Sequence, residues 1–592
     1  MLGKRHFLCE LFLTFVILSG LRLFTIYSSA NGSDPWVDSA PNNTLTYTIG
    51  IPIVLGSYGE AAEAAFDLSI ERIEVTQAVQ DLANSVPLVS GRQTVVRVYV
   101  RSDAPSNLDG IRVMLAGAAN DHALTNSPLL SAPGTVFMTT DRGDYTSTFN
   151  FFLPAGWLDM SQITLTAQVD VDNVFHEQDE ANNTMTAVFT FTQAPPLDFK
   201  IVPIRYTHTS NGVTYNPPGD TISSIIYRLF PVPTMTVSLH QTLSFNGDLT
   251  KSEEWGRLLE AVDTLKVTEN APDSRVYYGL IPSAWFNGGY AGLGYLGWRT
   301  AVGLQLEDPK WGQDAGAYIA AHEIGHNLNS RHAPGCNAAN VDPAWPWPND
   351  GHIHEYGLDL GTFLVKTPVA EDVMGYCRDG GIWISSYTYR KFLSNQQVYG
   401  KVSLQELQQP QEVLYIRATL DADDKASLHP IYHLSAIPSS VSAAGDYWVQ
   451  LLDANGGELA RYPVDVKIAE GDGFTLRSIS ALVPMPTGTL AQVRLLNGTT
   501  LLAQRQFQAA PKLLSALQLL DTIDGLSLNW AAGAQPALVR YTSDNGATWT
   551  TLAFDVTGFE LTIDPTGLAS GGYFEVSFAD TTLPVRLISA IQ

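Results

Sequence analysis

Positive charge is scarce in this 592-residue chain: 34 Lys and Arg stand against 59 Asp and Glu, for a net charge of −25. Nothing in that balance neutralises phosphates, so a nucleic-acid partner is excluded. Charge of either sign is sparse, at 16% of residues against the usual quarter. Cysteine occurs three times, at Cys9, Cys336 and Cys377. Long apolar runs are nearly absent. The one candidate, Leu11 to Leu21, is too short to span a bilayer comfortably, and no other stretch could span one.

That run has the anatomy of a signal peptide. Lys4, Arg5 and His6 precede it, and Ser28-Ser29-Ala30 offers small residues for cleavage after Ala30. Glu10 and Arg22 flank it and argue against a permanent anchor, the alternative reading. Either way the bulk of the chain lies outside the cytoplasm. Cleavage leaves a secreted protein without stable membrane insertion, and removes Cys9.

The length exceeds what one core can hold, so three to five domains are expected. Residues 31–66 follow no steady period and read as a linker or short pro-region. Over 67–194 the pattern is β: Val96, Val98 and Val100 alternate with Arg97, Tyr99 and Arg101, and Ile163, Leu165, Ala167 and Val169 alternate with polar neighbours. This stretch looks like an immunoglobulin-like sandwich. Its acidic turn, Glu177 to Asn183, resembles those of bacterial adhesion-type modules. It reads as a solvated turn or a Ca2+ site, with no spaced ligand loop to support calcium.

Ala194-Pro195-Pro196 marks a boundary, and Phe199–Arg205 opens a new domain. Thr250 and Glu253 form a capping-box signature before Trp255, Leu258, Leu259, Val262 and Leu265 at helical spacing. Val276–Leu280 reads as a strand, and Tyr290–Leu304 carries Gly292, Gly294 and Gly297. A helix from Asp314 to about Leu328 then presents His322-Glu323-Ile324-Gly325-His326, followed by His332. Residues four apart share a helical face, so His322 and His326 can meet one metal. His332 is too far along for that face, so the chain must turn. Asn329 suits the turn, because Asn tolerates the left-handed conformation. Three imidazoles and an open position make a catalytic rather than a structural Zn2+ geometry. Glu323 leans to the same side without ligating. Val373-Met374-Gly375-Tyr376 follows downstream.

HEIGHNLNSRH resembles the metzincin pattern HExxHxxGxxH, and VMGY resembles the metzincin Met-turn. The resemblance spans roughly 195–400 and departs once, with Asn329 where Gly is usual. It implies a multidomain protein with an α+β metzincin-like catalytic domain over 195–401, a mixed sheet carrying the active-site helix, flanked by β-sandwich domains. It implies a zinc endopeptidase acting on protein or peptide substrates, with Glu323 as general base and Met374 as a hydrophobic floor. Tyr376 would stabilise the oxyanion; a Tyr packed with its hydroxyl satisfied elsewhere is the alternative. The Gly-rich segment Tyr290–Leu304 would be the edge strand that holds extended substrate, or else a surface loop. Residues from Arg378 to Ser385 would set specificity. Cys336 and Cys377 flank this site and would be bridged in an oxidising compartment, or remain two free thiols. No cysteine lies between residue 31 and this domain, which excludes a cysteine-type zinc block from upstream. A carboxylate from 31–66, or steric cover by the first sandwich, stays open. His352 and His354 lack a helical partner and read as surface or supporting residues.

Beyond residue 402 the pattern is β again, with Tyr447, Val449 and Leu451 alternating and Asn545-Gly546 marking a hairpin. Residues 402–510 and 511–592 read as two β-sandwiches, spacers or docking modules for a cell surface or matrix. The competing reading is an extracellular adhesion or binding protein with a degenerate protease core. That reading expects loss of Glu323 or of a ligand, and none is lost. A gluzincin arrangement would take a downstream Glu as third ligand, against the in-register His332.

Overall fold

The computed structural model describes residues 11–18, 21–28 and 66–592, apart from 218, 220–221, 308–313, 379, 401–408, 441–444, 472–473, 510–516, 523–524, 531–534, 583–585 and 591–592. Ala30, nearly all of the 31–66 segment and the boundaries at 401/402 and 510/511 lie outside the described residues. The chain forms two compact units, Met1–Ala64 and Ala65–Gln592. In the first, Leu11–Leu18 pairs antiparallel with Leu21–Ser28. Among the described residues no helix is long and apolar enough to cross a membrane.

The second unit is mainly β. Among the described residues strand far exceeds helix and is spread over many small sheets, and this corrects the expected α+β metzincin-like fold class. Helical spacing around Trp255 and His322 is real but local. Among the described residues only three helices exceed ten residues: Ser252–Thr268, Ala315–Asn327 and Ser386–Tyr399. Between the last two, Pro334, Pro343, Pro346 and Pro348 remove backbone donors that a helix needs, and only short strands form.

The strand Leu197–His208 runs parallel to Met235–Leu239, Leu243–Gly247 and Val276–Pro282. Val276–Pro282 runs parallel to Thr300–Gln305, and the short antiparallel strand Gly292–Gly294 ends that side of the sheet. Side chains alternate across the sheet. Tyr278, Leu280 and Ala301 pack with Ala317, Ala320 and Ile324 of the histidine-bearing helix. Tyr277, Ile281 and Val302 pack with Trp255, Leu258 and Val262 of Ser252–Thr268. The expected capping box is absent: Lys251 is the N-cap without a side-chain cap, and Thr250 Oγ1 donates to Asp248 at 2.5 Å.

Residues 67–194 form two facing groups of strands around one core. Gln162–Val169 buries every second residue as its period demands. Val95–Ser102 departs from the half-buried expectation, because Arg97 and Tyr99 are buried as well. Arg97 donates to the carbonyls of Arg142 and Asp144 at 3.0 Å each, so the segment around Asp144 covers that face. Just after the strand Leu68–Thr76, Val79–Gln80 pairs with Tyr356–Asp359, and Ala78 and Val79 join the core beneath the histidine-bearing helix.

Residues 411–506 pair into two sheets over one core, and residues 518–590 into two more, with the hairpin Ala537–Thr542/Thr550–Val556 turning at Asn545 and Gly546. Both regions dock on the helix Ser252–Thr268 through buried polar contacts. Lys467 Nζ meets Asp263 at 2.6 Å, and Thr268 Oγ1 meets Thr551 Oγ1 at 2.7 Å.

Candidate metal centre

His322 and His326 project from one face of Ala315–Asn327, and all three histidines are buried, at 6%, 4% and 2% exposure for His322, His326 and His332. The helix ends as its sequence dictates. Asn329 has φ 55°, and the N–H groups of Leu328, Asn329 and Ser330 turn back onto the carbonyls of Ile324, His326 and Gly325. This turn carries His332 back beside the other two.

Each ring is held by its far nitrogen. His322 Nδ1 bonds the Val373 carbonyl at 2.8 Å, His326 Nδ1 the Ser330 carbonyl at 2.7 Å, and His332 Nδ1 the Ala339 carbonyl at 2.5 Å. A carbonyl only accepts, so each Nδ1 carries the proton and each Nε2 keeps its lone pair. One ligand atom from each of the three lies within 4.8 Å of the others, so the cluster could hold a metal ion. Burial, and then the neighbouring His332, push His326 down to about 3; burial also drives His322 well below its ordinary value. Neutral, buried, convergent imidazoles fit a divalent metal.

Glu323 is 7% exposed and lies against the sheet edge. A Cβ on Gly292 would stand 2.5 Å from its Oε1, and one on Gly294 would stand 2.5 Å from its backbone carbonyl. The glycines expected in an edge strand are thus what allows the helix and its carboxylate to approach. Tyr278 is a contributor that sequence reading missed. It is fully buried, and burial together with the Glu323 charge pushes its phenol well above the ordinary value.

Met374 packs under the helix, where Gly325 leaves room for its sulfur. The turn is pinned by Asp372, another residue not singled out from sequence. Its carboxylate accepts from the N–H of Met374 at 2.8 Å and of Ser385 at 2.9 Å. The Met374 carbonyl takes the Ala333 N–H at 3.0 Å, and a Cys336–Cys377 disulfide joins the same two segments. Tyr376 is half-buried, with its hydroxyl 3.4 Å from His332 Nε2. Arg378 donates to the Gly375 and Cys377 carbonyls at 2.6 and 2.7 Å, and burial lowers it to about 10.

His352 and His354 stand apart from the trio. His354 Nε2 lies 2.9 Å from Asp350, and His352 lies 3.7 Å from Asp350 and from Glu371. At the acidic turn, Asn183 Nδ2 donates to Glu177 and Glu180 at 2.7 and 3.2 Å, and Asn182 Nδ2 to Asp67 at 2.8 Å. The turn thereby ties strand ends together. Among the described residues only the trio groups three metal-binding side chains.

No family model and no curated protein matches the chain. Among solved structures it is similar to the CARDB domain of the PF1109 protein from Pyrococcus furiosus, in complex with di-metal ions. That match has 15% identity over 22% of this chain and 97% of that one, with a TM-score of 0.14. A β-glucuronidase of Parabacteroides merdae matches at 10% identity over 88% of this chain and 77% of that one, with a TM-score of 0.14. Bacteroides uniformis β-glucuronidase 3 matches at 10% identity over 89% and 77%, with a TM-score of 0.13. Overlaps this low carry no argument about metal or activity.

Proposed function

We propose that this chain is a secreted zinc-dependent endopeptidase that hydrolyses protein or peptide substrates. The carrying observation is the convergence of three buried imidazoles whose Nδ1 partners are all backbone carbonyls, with Glu323 on the helix that bears His322 and His326. The metzincin-like motif and the Met374 floor favour zinc over other metals that accept imidazole. The disulfide between Cys336 and Cys377 supports an oxidising compartment.

His322, His326 and His332 would hold the ion. When bound, zinc acts as a Lewis acid and lowers the pKa of a coordinated water toward ~7. The remaining work belongs to the chain. Glu323 takes a proton from the attacking water and returns it to the leaving amine, as base and then acid. Tyr376, 3.4 Å from His332 Nε2, donates its hydroxyl hydrogen to the developing oxyanion. Carbonyl-held imidazoles keep their tautomer throughout, so no reorganisation is needed during turnover.

Elemental analysis of purified protein, combined with digestion of an unfolded test protein, decides the matter. The expected result is one zinc per chain, with metal and cleavage both lost on chelation. Cleavage that survives removal of the metal, or zinc-loaded protein that cuts nothing, would overturn the reading.

A further inference from the structure

Gly292–Gly294 is both the end of its sheet and the segment that lies against Glu323. An extended peptide joins such an edge by strand addition. One residue further on, the edge is already taken. Tyr295 pairs antiparallel with Ala469, and the Leu296 N–H donates to the Ile468 carbonyl at 2.8 Å. Ala469 belongs to the strand Lys467–Gly471, which is part of the C-terminal β region.

That strand is fixed in place. Lys467 and Asp263 form a buried ion pair at 2.6 Å, and Asp263 also accepts from Thr300 Oγ1 at 2.9 Å. Tyr295 Oη meets Ser478 Oγ at 2.7 Å. At the rim, Glu470 reaches Arg331, the neighbour of His332, at 3.5 Å, and the Phe474 ring packs edge-on against Tyr290 at 5.4 Å.

We infer that the strand Lys467–Gly471 is a wall closing one end of the peptide groove, so that the enzyme accepts only a short flank on that side of the scissile bond. This rests on the peptidase reading above. The three-residue edge, at about 3.3 Å per residue, offers on the order of 10 Å, enough for roughly three substrate residues. The favoured substrates are then peptides and unstructured chain ends, cut at an internal bond a few residues from one terminus.

The test uses full-length, zinc-loaded protein and a nested peptide set with one constant cleavage core, whose flanks are lengthened separately on each side. The expected kcat/KM falls about tenfold, the loss of one or two backbone hydrogen bonds, once one flank passes roughly three residues, while the other flank tolerates extension. Binding of the same peptides to zinc-loaded Glu323→Gln protein, read by fluorescence anisotropy, should show the same one-sided limit in Kd. Glu470→Ala combined with Phe474→Ala loosens the wall away from the metal, and should relax the limit while leaving the shortest peptide unaffected. Cleavage with equal tolerance on both sides overturns the wall and leaves the peptidase reading intact. Failure of every peptide to be cut by the native protein or bound by the Glu323→Gln protein overturns both.

Discussion

Two groups of histidines stand close together in the sequence, His322, His326 and His332 in one and His352 and His354 in the other, and their ring nitrogens are committed differently. In the first group every Nδ1 is spent on a backbone carbonyl, and one ligand atom from each ring lies within 4.8 Å of the others. In the second, His354 spends Nε2 on the Asp350 carboxylate, His352 sits between Asp350 and Glu371, and Trp347 stacks on His354 at 5.0 Å. The first group is buried, and the second is a quarter to a third exposed. Histidine content alone therefore does not make a metal site. A site needs fixed tautomers and convergent lone pairs, and both come from backbone acceptors.

The contrast breaks most completely in a His322→Ala, His326→Ala double variant, which should bind no zinc by elemental analysis. Stoichiometric zinc in that protein would place the ligands elsewhere. Next in size is Glu323→Gln, which should keep zinc and fold while turnover falls by about 10²–10⁴-fold, because the amide cannot take a proton. Turnover close to native, with metal content checked, would remove Glu323 as the base. Tyr376→Phe retains the ring and loses the hydroxyl. If that hydroxyl meets the oxyanion, kcat should fall about 10²–10³-fold with KM little changed. A change under about threefold would leave Tyr376 a packing residue. The smallest effect belongs to the second histidine group. His352→Gln with His354→Gln should leave zinc stoichiometry unchanged and cost under about 1 kcal/mol per exposed pair in thermal melts. Loss of zinc there would merge the two groups into one site.

The histidine cluster was legible because helical spacing is a local property: His322 and His326 share a face whatever surrounds them. Asn329 was legible for the same reason, since a residue that must turn left-handed advertises itself. The acceptors that complete the site were not. Val373, Ser330 and Ala339 act through carbonyl oxygens, which every residue has, so their side chains carry no signal. Asp372 is one carboxylate among many until the turn it pins is seen. The fold class failed because a helix-borne motif was extended to a whole domain, while the chain around it is built mainly from strands paired into many small sheets. Thr250 and Glu253 fit the capping pattern, yet Asp248 competed successfully for the threonine hydroxyl. The C-terminal regions read as β-sandwiches from their alternation, and as spacers or docking modules. Buried contacts such as Lys467 with Asp263 lie 204 residues apart, beyond the reach of any local pattern.

The strand Val79–Gln80 has a consequence for synthesis. The first β region emerges early, but the Ala78 carbonyl receives the Trp383 indole N–H at 2.7 Å across 305 residues, and Gln77 receives the Tyr389 hydroxyl at 3.2 Å across 312. Contacts of such separation close late and slowly, since the intervening chain must first be made and ordered. The segment around Ala78 thus waits, half of a strand pair, until Tyr356–Asp359 and then Trp383 arrive. A nascent chain stalled before residue 356 would hold the first β region with an internal strand, Val79–Gln80, still lacking its partner. For the same reason the first β region cannot be shed as a removable cover, because Ala78 and Val79, which follow its first strand, are part of the core on which the histidine-bearing helix rests.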